Sequence, residues 1–260
     1  MADYKFVKVS TDECVGIITI SNPPVNALSS NVFREITDAI NTFKGNPAMK
    51  AIVLTGAGTV FAAGADIKEI LNIARAEDGE ALCLNGHKVL NAIEQSDIPV
   101  IAAINGVAFG GGNELAISCH IRIASDKARF GQPEISIGIM PGLGGAVRLA
   151  RLVGQAKATE LALTGEPISA QDAKYLGLVN MVVPDSALMT QAVGLAKKIG
   201  SKGKVAIAYI LKALREGSKV GLEDALKLEA KLFGQIMMTE DKKEGISAFL
   251  EKRQPKFKDR

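Results

Sequence analysis

Tryptophan is absent from this sequence, which by itself excludes nothing, and only three tyrosines are present. Cysteine is scarce: Cys14, Cys83 and Cys119 are odd in number, scattered, and in no metal-ligand spacing. They read as buried thiols of a reducing compartment. Charge of one sign is also lacking. A net charge of +3 demands neither a nucleic acid nor an anionic membrane surface. No apolar run is long enough to span a bilayer, and the opening "MADYKFVKVS" has no charged-then-apolar signal pattern. A chain beginning at its own initiator methionine is expected in the cytoplasm, and one trimmed of a transit peptide in an organelle matrix. No low-complexity segment appears. The phosphate-cradling motif G-x-x-x-x-G-K-[ST] is missing, and neither "FGGGNEL" nor "GLGGAVRLA" fits G-x-G-x-x-G in a first strand–helix unit.

What remains is an ordinary globular composition, 47% hydrophobic and 23% charged, over 260 residues. That length suits one large domain, or a core with an accessory unit. Short β-branched runs recur at 15–20, 51–56, 100–106, 120–125 and 178–183, each of strand length and bounded by turn residues. Helical spacing joins Val32, Phe33, Ile36, Ala39, Ile40 and Phe43, and "GNP" stops that run. The stretch 83–95 predicts a second helix. Ser169 with Asp172 predicts a capped third one. Strands alternating with helices imply an α/β core. Beyond about residue 185 the pattern changes to amphipathic helices with no strand between them, closed by a basic end.

The stretch "FGGGNEL" (109–115) interrupts an apolar run with three glycines and then adds a carboxylate. Glycines there permit a tight strand-to-helix turn. A second reading, a phosphate loop, fails on spacing. In a third, the glycines bare backbone N–H groups at a helix start, where the dipole favours negative charge and an oxyanion can be held. Glu114 then lies about one helical turn beyond Gly111. "FAAGADIKEI" (61–70) repeats that logic with a helix start at Asp66, and "FGQPEISIGIMPGLGG" (130–145) adds a second carboxylate, Glu134. Burial among apolar and glycine residues raises carboxyl pKa values toward acid–base competence near neutrality.

These stretches, with "AINGVAFGGGNELAISCHIRIAS", "ALTGEPISAQDAKYLGLVN", "NPPVNALS" and "AFLEKRQPKFKD", resemble the enoyl-CoA hydratase (crotonase) family over nearly the whole chain. The resemblance implies an α/β spiral of ββα units over residues 1–195. Residues 196–260 then form a helical C-terminal region that mediates assembly into a homotrimer or a hexameric dimer of trimers. It implies addition of water to a trans-2-enoyl-CoA, with the thioester oxygen held by the backbone N–H groups of Ala65 and Gly111. Glu114 is expected to activate water, and Glu134 to deliver the proton to Cα.

The resemblance further implies that Ala27, Ala63, Asp66, Ile67, Lys68, Pro141 and Gly142 line the coenzyme A and acyl site. Lys252 is expected to reach it from a neighbouring subunit. No metal or redox cofactor is required, coenzyme A being part of the substrate. His87 and His120 match no catalytic position. The segment 69–90 is expected to form the tunnel wall that sets acyl length. A Δ3-Δ2-enoyl-CoA isomerase or another crotonase-type lyase is the enzymatic alternative. An RNA-binding protein on the same fold is the non-enzymatic one, although the basic tail with its single Phe257 reads as solvated rather than base-stacking. No nucleic-acid or membrane partner is expected. Fatty-acid β-oxidation, butyrate or polyester metabolism, and breakdown of amino acids or aromatics all remain open.

Overall fold

The computed structural model describes residues 4–260. β1 (Val7–Asp12) and β2 (Val15–Ile20) form an antiparallel hairpin, and α1 (Ser30–Gly45) follows. Then come β3 (Ala51–Gly56), β4 (Val60–Ala62), α2 (Ile67–Leu71) and α3 (Ala76–Glu94). The pattern repeats as β5 (Val100–Ile104), β6 (Val107–Phe109) and α4 (Gly111–Ser118). It repeats again as β7 (Ile121–Ser125), β8 (Arg129–Gly131), a 3-10 turn (Pro133–Ile137) and α5 (Gly145–Val153). In these three units the first strand joins the sheet of the β1–β2 hairpin and the second joins another; with β9 (Ile168–Ser169) and β10 (Met181–Val183) the orders are β1-β2-β3-β5-β7-β10 and β4-β6-β8-β9. This is the expected spiral of ββα units. Its remaining elements are α6 (Gln155–Thr164), β9 (Ile168–Ser169), α7 (Ala170–Tyr175) and β10 (Met181–Val183).

The period of two explains how the first sheet is covered. In β3, Ile52 and Leu54 point into the large core shared with α1, whereas Ala51 and Val53 face Leu188, Ala192 and Ala196 of α8 (Leu188–Gly200). Every residue of β3 is buried, as expected for a strand covered on both faces. Each fully buried Ile, Leu or Val contributes about 1.5–3 kcal/mol of transfer free energy. α1 starts where Ser29 Oγ accepts the Val32 amide hydrogen at 3.3 Å. It buries the stripe Val32, Phe33, Ile36, Ala39, Ile40 and Phe43 that its spacing predicts. Ser169 and Asp172 cap α7 reciprocally, also as expected.

The structure departs from the sequence reading in three places. β1 carries too few buried positions to announce itself, because it is an edge strand with one buried residue. β4, β6 and β8 are three residues each, too short to show a period. α3 begins at Ala76 rather than near residue 83, since the acidic cluster ahead of that point supplies Glu77 and Asp78 to its first turn. There their charge opposes the positive end of the helix dipole.

Beyond α8 lie α9 (Lys204–Gly217), α10 (Leu222–Ile236) and α11 (Glu240–Leu250). The basic tail folds back on α11: Asp241 accepts the backbone N–H groups of Lys258 at 2.6 Å and Asp259 at 2.9 Å, and Asp259 meets Lys50 at 2.9 Å. Arg253 pairs with Glu244 and Glu251, and Phe257 packs beside Gly245. Among the described residues no helix is long and apolar enough to cross a membrane.

Candidate active site

A cavity of about 850 Å³ opens where β4, the start of α4, the 3-10 turn and α3 converge. Ala63, Ala65, Asp66, Ile67, Gly111, Glu114, Glu134, Pro141 and Gly142 all line it. Of the other expected site residues, Ala27, Lys68 and Lys252 do not. Ala27 precedes the lining residue Leu28, and its carbonyl accepts from Asn22 Nδ2 at 2.8 Å. Lys68 is exposed in the first turn of α2, and Lys252 follows α11 with a φ of 55°.

The three glycines have three separate reasons. Gly110 has a φ of +51°, and a Cβ there would stand 2.8 Å from Glu134 Oε1. A Cβ at Gly111 would lie 3.2 Å from the backbone nitrogen of Ala65. One at Gly112 would overlap the Ala62 carbonyl oxygen. The glycines therefore let α4 start directly against the β4–α2 corner and the Glu134 carboxyl.

That close approach brings two backbone donors together. Leu28 and Ala65 form a parallel bridge in which Leu28 N–H donates to Gly64 O at 2.8 Å and Asp66 N–H donates to Leu28 O at 3.2 Å. The Ala65 N–H is left on the other side of that bridge. The Gly111 N–H is the first of a helix and has no intrahelical acceptor. Among the described residues neither amide has a hydrogen-bond acceptor. Both belong to residues of the cavity wall. The Asp66 side chain accepts from Lys68 N–H at 2.9 Å, so it caps α2.

The two carboxyl groups sit in different surroundings. Glu114 is 1% exposed, and its Oε1 accepts from Leu143 N–H at 2.8 Å and from Gly145 N–H at 2.6 Å. Burial raises its pKa to about 7, against the opposing pull of the Gly145 amide; the Glu134 charge adds to the rise, while the Leu143 amide and Arg148 lower it. Glu134 stands on the 3-10 turn, and desolvation raises its pKa as well. Its Oε2 is buried with no hydrogen-bond partner among the described residues. A second buried oxygen without a partner is Asn113 Oδ1, whose amide nitrogen donates to Gln132 Oε1 at 2.9 Å.

Sequence reasoning missed the supports of this site. Arg148, Asn91, Gln132 and His87 are separated from Glu114 along the chain, and no local pattern marks them. His87 lines the cavity and its Nε2 donates to Gly142 O at 2.9 Å. His120 lies outside it: Nδ1 accepts the Val100 N–H at 3.0 Å, and burial with the Arg215 charge lowers its pKa to about 4. The apolar walls come from α2, α3 and the 3-10 turn, including Ile70, Leu82 and Ile137, so segment 69–90 forms much of the tunnel.

Residues 10–260 match the family model described as Enoyl-CoA hydratase/isomerase, and the chain belongs to that family. It is 44% identical to a probable enoyl-CoA hydratase of Bacillus subtilis, over 97% of this chain and 98% of the relative. It is also 44% identical to a short-chain-enoyl-CoA hydratase of Clostridium acetobutylicum, over 92% of each chain. The crystal structure of an enoyl-CoA hydratase from Bacillus anthracis superposes with a TM-score of 0.94 at 37% identity, covering 98% of this chain and all of the other.

Proposed function

We propose that the protein adds water reversibly to trans-2-enoyl-CoA thioesters of short acyl length, giving 3-hydroxyacyl-CoA. The observation that carries this reading is the meeting, in one cavity, of the buried Glu114 carboxyl and the half-buried Glu134 carboxyl with two acceptor-free backbone amides. The relative named for short-chain enoyl-CoA supports the substrate class.

In this reading the thioester carbonyl oxygen accepts from Ala65 and Gly111. Ionised Glu114 takes a proton from a water molecule as its oxygen bonds to Cβ. The electron pair of the double bond shifts onto the thioester as an enolate, whose oxygen the two amides stabilise. Glu134, in the protonated form that its partial burial favours, gives its proton to Cα and the enolate collapses to the saturated thioester. Glu114 is then protonated and Glu134 ionised, and one proton passed between them, directly or through solvent, restores the start. Dehydration runs the same steps in reverse. The segments around Ala27, Ala63, Asp66 and Ile67 hold the coenzyme, with Lys68 and a neighbouring subunit's Lys252 available to its phosphates. Pro141 and Gly142 wall the acyl end.

Assembly through residues 196–260 as a trimer or a dimer of trimers accords with the apolar surface of that region. Leu214, Leu226, Phe233, Phe249 and Leu250 are all exposed in the single chain. The cysteines Cys14, Cys83 and Cys119 are unpaired, which fits a reducing compartment, cytoplasm or organelle matrix.

Loss of the conjugated-enoyl absorbance of crotonyl-CoA tests the reading. Glu114→Gln and Glu134→Gln should each lower the rate about 10²–10⁴-fold. Full activity in either variant removes that glutamate from the mechanism. Isomerisation of a 3-enoyl-CoA outrunning hydration on the same preparation would favour the isomerase. Tight, salt-sensitive RNA binding without hydration would overturn the enzymatic reading altogether.

A further inference from the structure

We infer that Arg148 is a positioning residue that fixes the turn 143–145, whose Leu143 and Gly145 amides meet Glu114, and so sets the protonation state in which Glu114 works. The inference rests on the hydratase reading above. Its structural basis is a turn gripped from outside by its carbonyl groups. Arg148 Nη1 donates to Leu143 O at 3.0 Å, and His87 Nε2 donates to Gly142 O at 2.9 Å. The Leu143 N–H shares a peptide plane with the held Gly142 carbonyl and points the other way, while the Gly144 carbonyl, in one plane with the Gly145 N–H, accepts the Arg148 backbone N–H at 2.7 Å. The Leu143 and Gly145 N–H groups then both reach a single oxygen, Glu114 Oε1. The Leu143 residue thus links the guanidinium and the carboxyl directly, one through its C=O and the other through its N–H.

The guanidinium is itself fixed. Its Nη2 donates to Asn91 Oδ1 and to Glu94 Oε2 at 3.3 Å, both on α3, and the side chain is only 15% exposed. Gly144 has a φ of +100°, and a Cβ there would overlap Arg148 Nη1, so the turn closes over the guanidinium only because that residue is glycine. The charged or titratable side chains facing Glu114 are Glu134 from the 3-10 turn, Arg148 from α5, and Cys83 and His87 from α3. Of these, Arg148 alone is a fixed cation. Its charge favours the ionised carboxylate against the burial and the Glu134 charge that oppose it. Removing the side chain takes away both a charge and the grip on the Leu143 carbonyl that holds the turn, and the two losses act in the same direction.

The test compares wild type with Arg148→Gln and Arg148→Lys. The pKa of Glu114 is read in two ways: from the pH dependence of crotonyl-CoA hydration, and by infrared titration of the carboxyl band identified by its loss in Glu114→Gln. Arg148→Gln should raise the Glu114 pKa in both readouts and lower kcat by up to about 10²-fold, the cost of a misplacement near 1 Å, with KM little changed. Arg148→Lys, which keeps the charge but not the planar fork, should recover part of both. Should Arg148→Gln fail to fold, Glu94→Gln loosens the same guanidinium from a half-exposed position and should shift the pKa in the same direction. An unchanged infrared pKa in the folded variants overturns the inference even where kcat falls. Absence of hydration in wild type defeats the hydratase reading instead, and leaves the infrared result standing.

Discussion

Gly145 donates its amide hydrogen to Glu114 Oε1 at 2.6 Å, and the carboxyl it meets is 1% exposed. Burial favours the neutral acid there, while the amides of Gly145 and Leu143 favour the carboxylate, and the balance leaves a pKa of about 7. A group poised in this way is half ionised at neutral pH, where a general base is most useful.

The first prediction concerns the pH–kcat profile of hydration. Its ascending limb should lie near pH 7, following ionisation of Glu114. When ionised, Glu134 raises that value through its negative charge. Glu134→Gln should therefore shift the limb to lower pH as well as lowering the plateau. A limb that moves upward in Glu134→Gln, or stays where it was, contradicts the coupling.

The same balance has a consequence for stability. The folded pKa of Glu114 lies above its unfolded value, so ionisation opposes folding, and stability falls as pH rises from about 4.5 through about 7. Glutamine mimics the neutral acid and escapes that loss. At about pH 8, Glu114→Gln should be the more stable protein by up to about 3 kcal/mol, and by under about 1 kcal/mol at about pH 5. Urea denaturation at the two pH values measures the difference. A variant less stable than wild type at the higher pH would show that the amides outweigh the burial.

Much of this site is legible in the sequence because it is built from contiguous pieces. The helix start that bares the Gly111 amide and carries Glu114 occupies five consecutive residues, and the Ala65 corner occupies a similar span. The strands buried on both faces, β3 and β5, show as unbroken apolar runs for the same local reason. The second sheet is different: its strands take their pairing from neighbours and are too short to carry a period of their own. Likewise Arg148 acts on Glu114 through the backbone of Leu143, and nothing in the local pattern around "GAVRLARLV" signals a contact with a carbonyl five residues back. The acidic start of α3 misleads because charges that suit a helix N-terminus also suit a loop.

The triple glycine should fail in a graded way. At Gly112 a methyl group would overlap backbone, the Ala62 carbonyl, which cannot move without displacing β4. Gly112→Ala should destabilise by at least about 1–3 kcal/mol, with activity lost through unfolding. At Gly111 the nearest atoms are the Ala65 nitrogen at 3.2 Å and Leu143 Cδ1 at 3.3 Å, which a shift of a few tenths of an ångström would relieve. Gly111→Ala should fold but separate the two amides, reducing kcat by up to about 10²-fold with a smaller change in melting temperature. The reverse order, Gly111→Ala unfolding and Gly112→Ala active, would contradict the assignment of their roles.

The last prediction follows from surface that a single chain leaves apolar. Phe233 is 64% exposed on α10 and Leu214 is 68% exposed on α9, where α9 and α10 pack as a pair and turn these side chains away from one another's core. Neither helix buries more than one residue within the chain, so each retains an apolar stripe with nothing against it. Light scattering with size-exclusion chromatography should find the wild type as a trimer or hexamer. Phe233→Asp combined with Leu214→Asp should yield smaller species that retain their far-ultraviolet circular dichroism. The cavity residues belong to other elements, so loss of activity on dissociation would mean that a neighbouring copy completes the site. A wild type that elutes as a monomer at micromolar concentration would leave this stripe without its proposed partner.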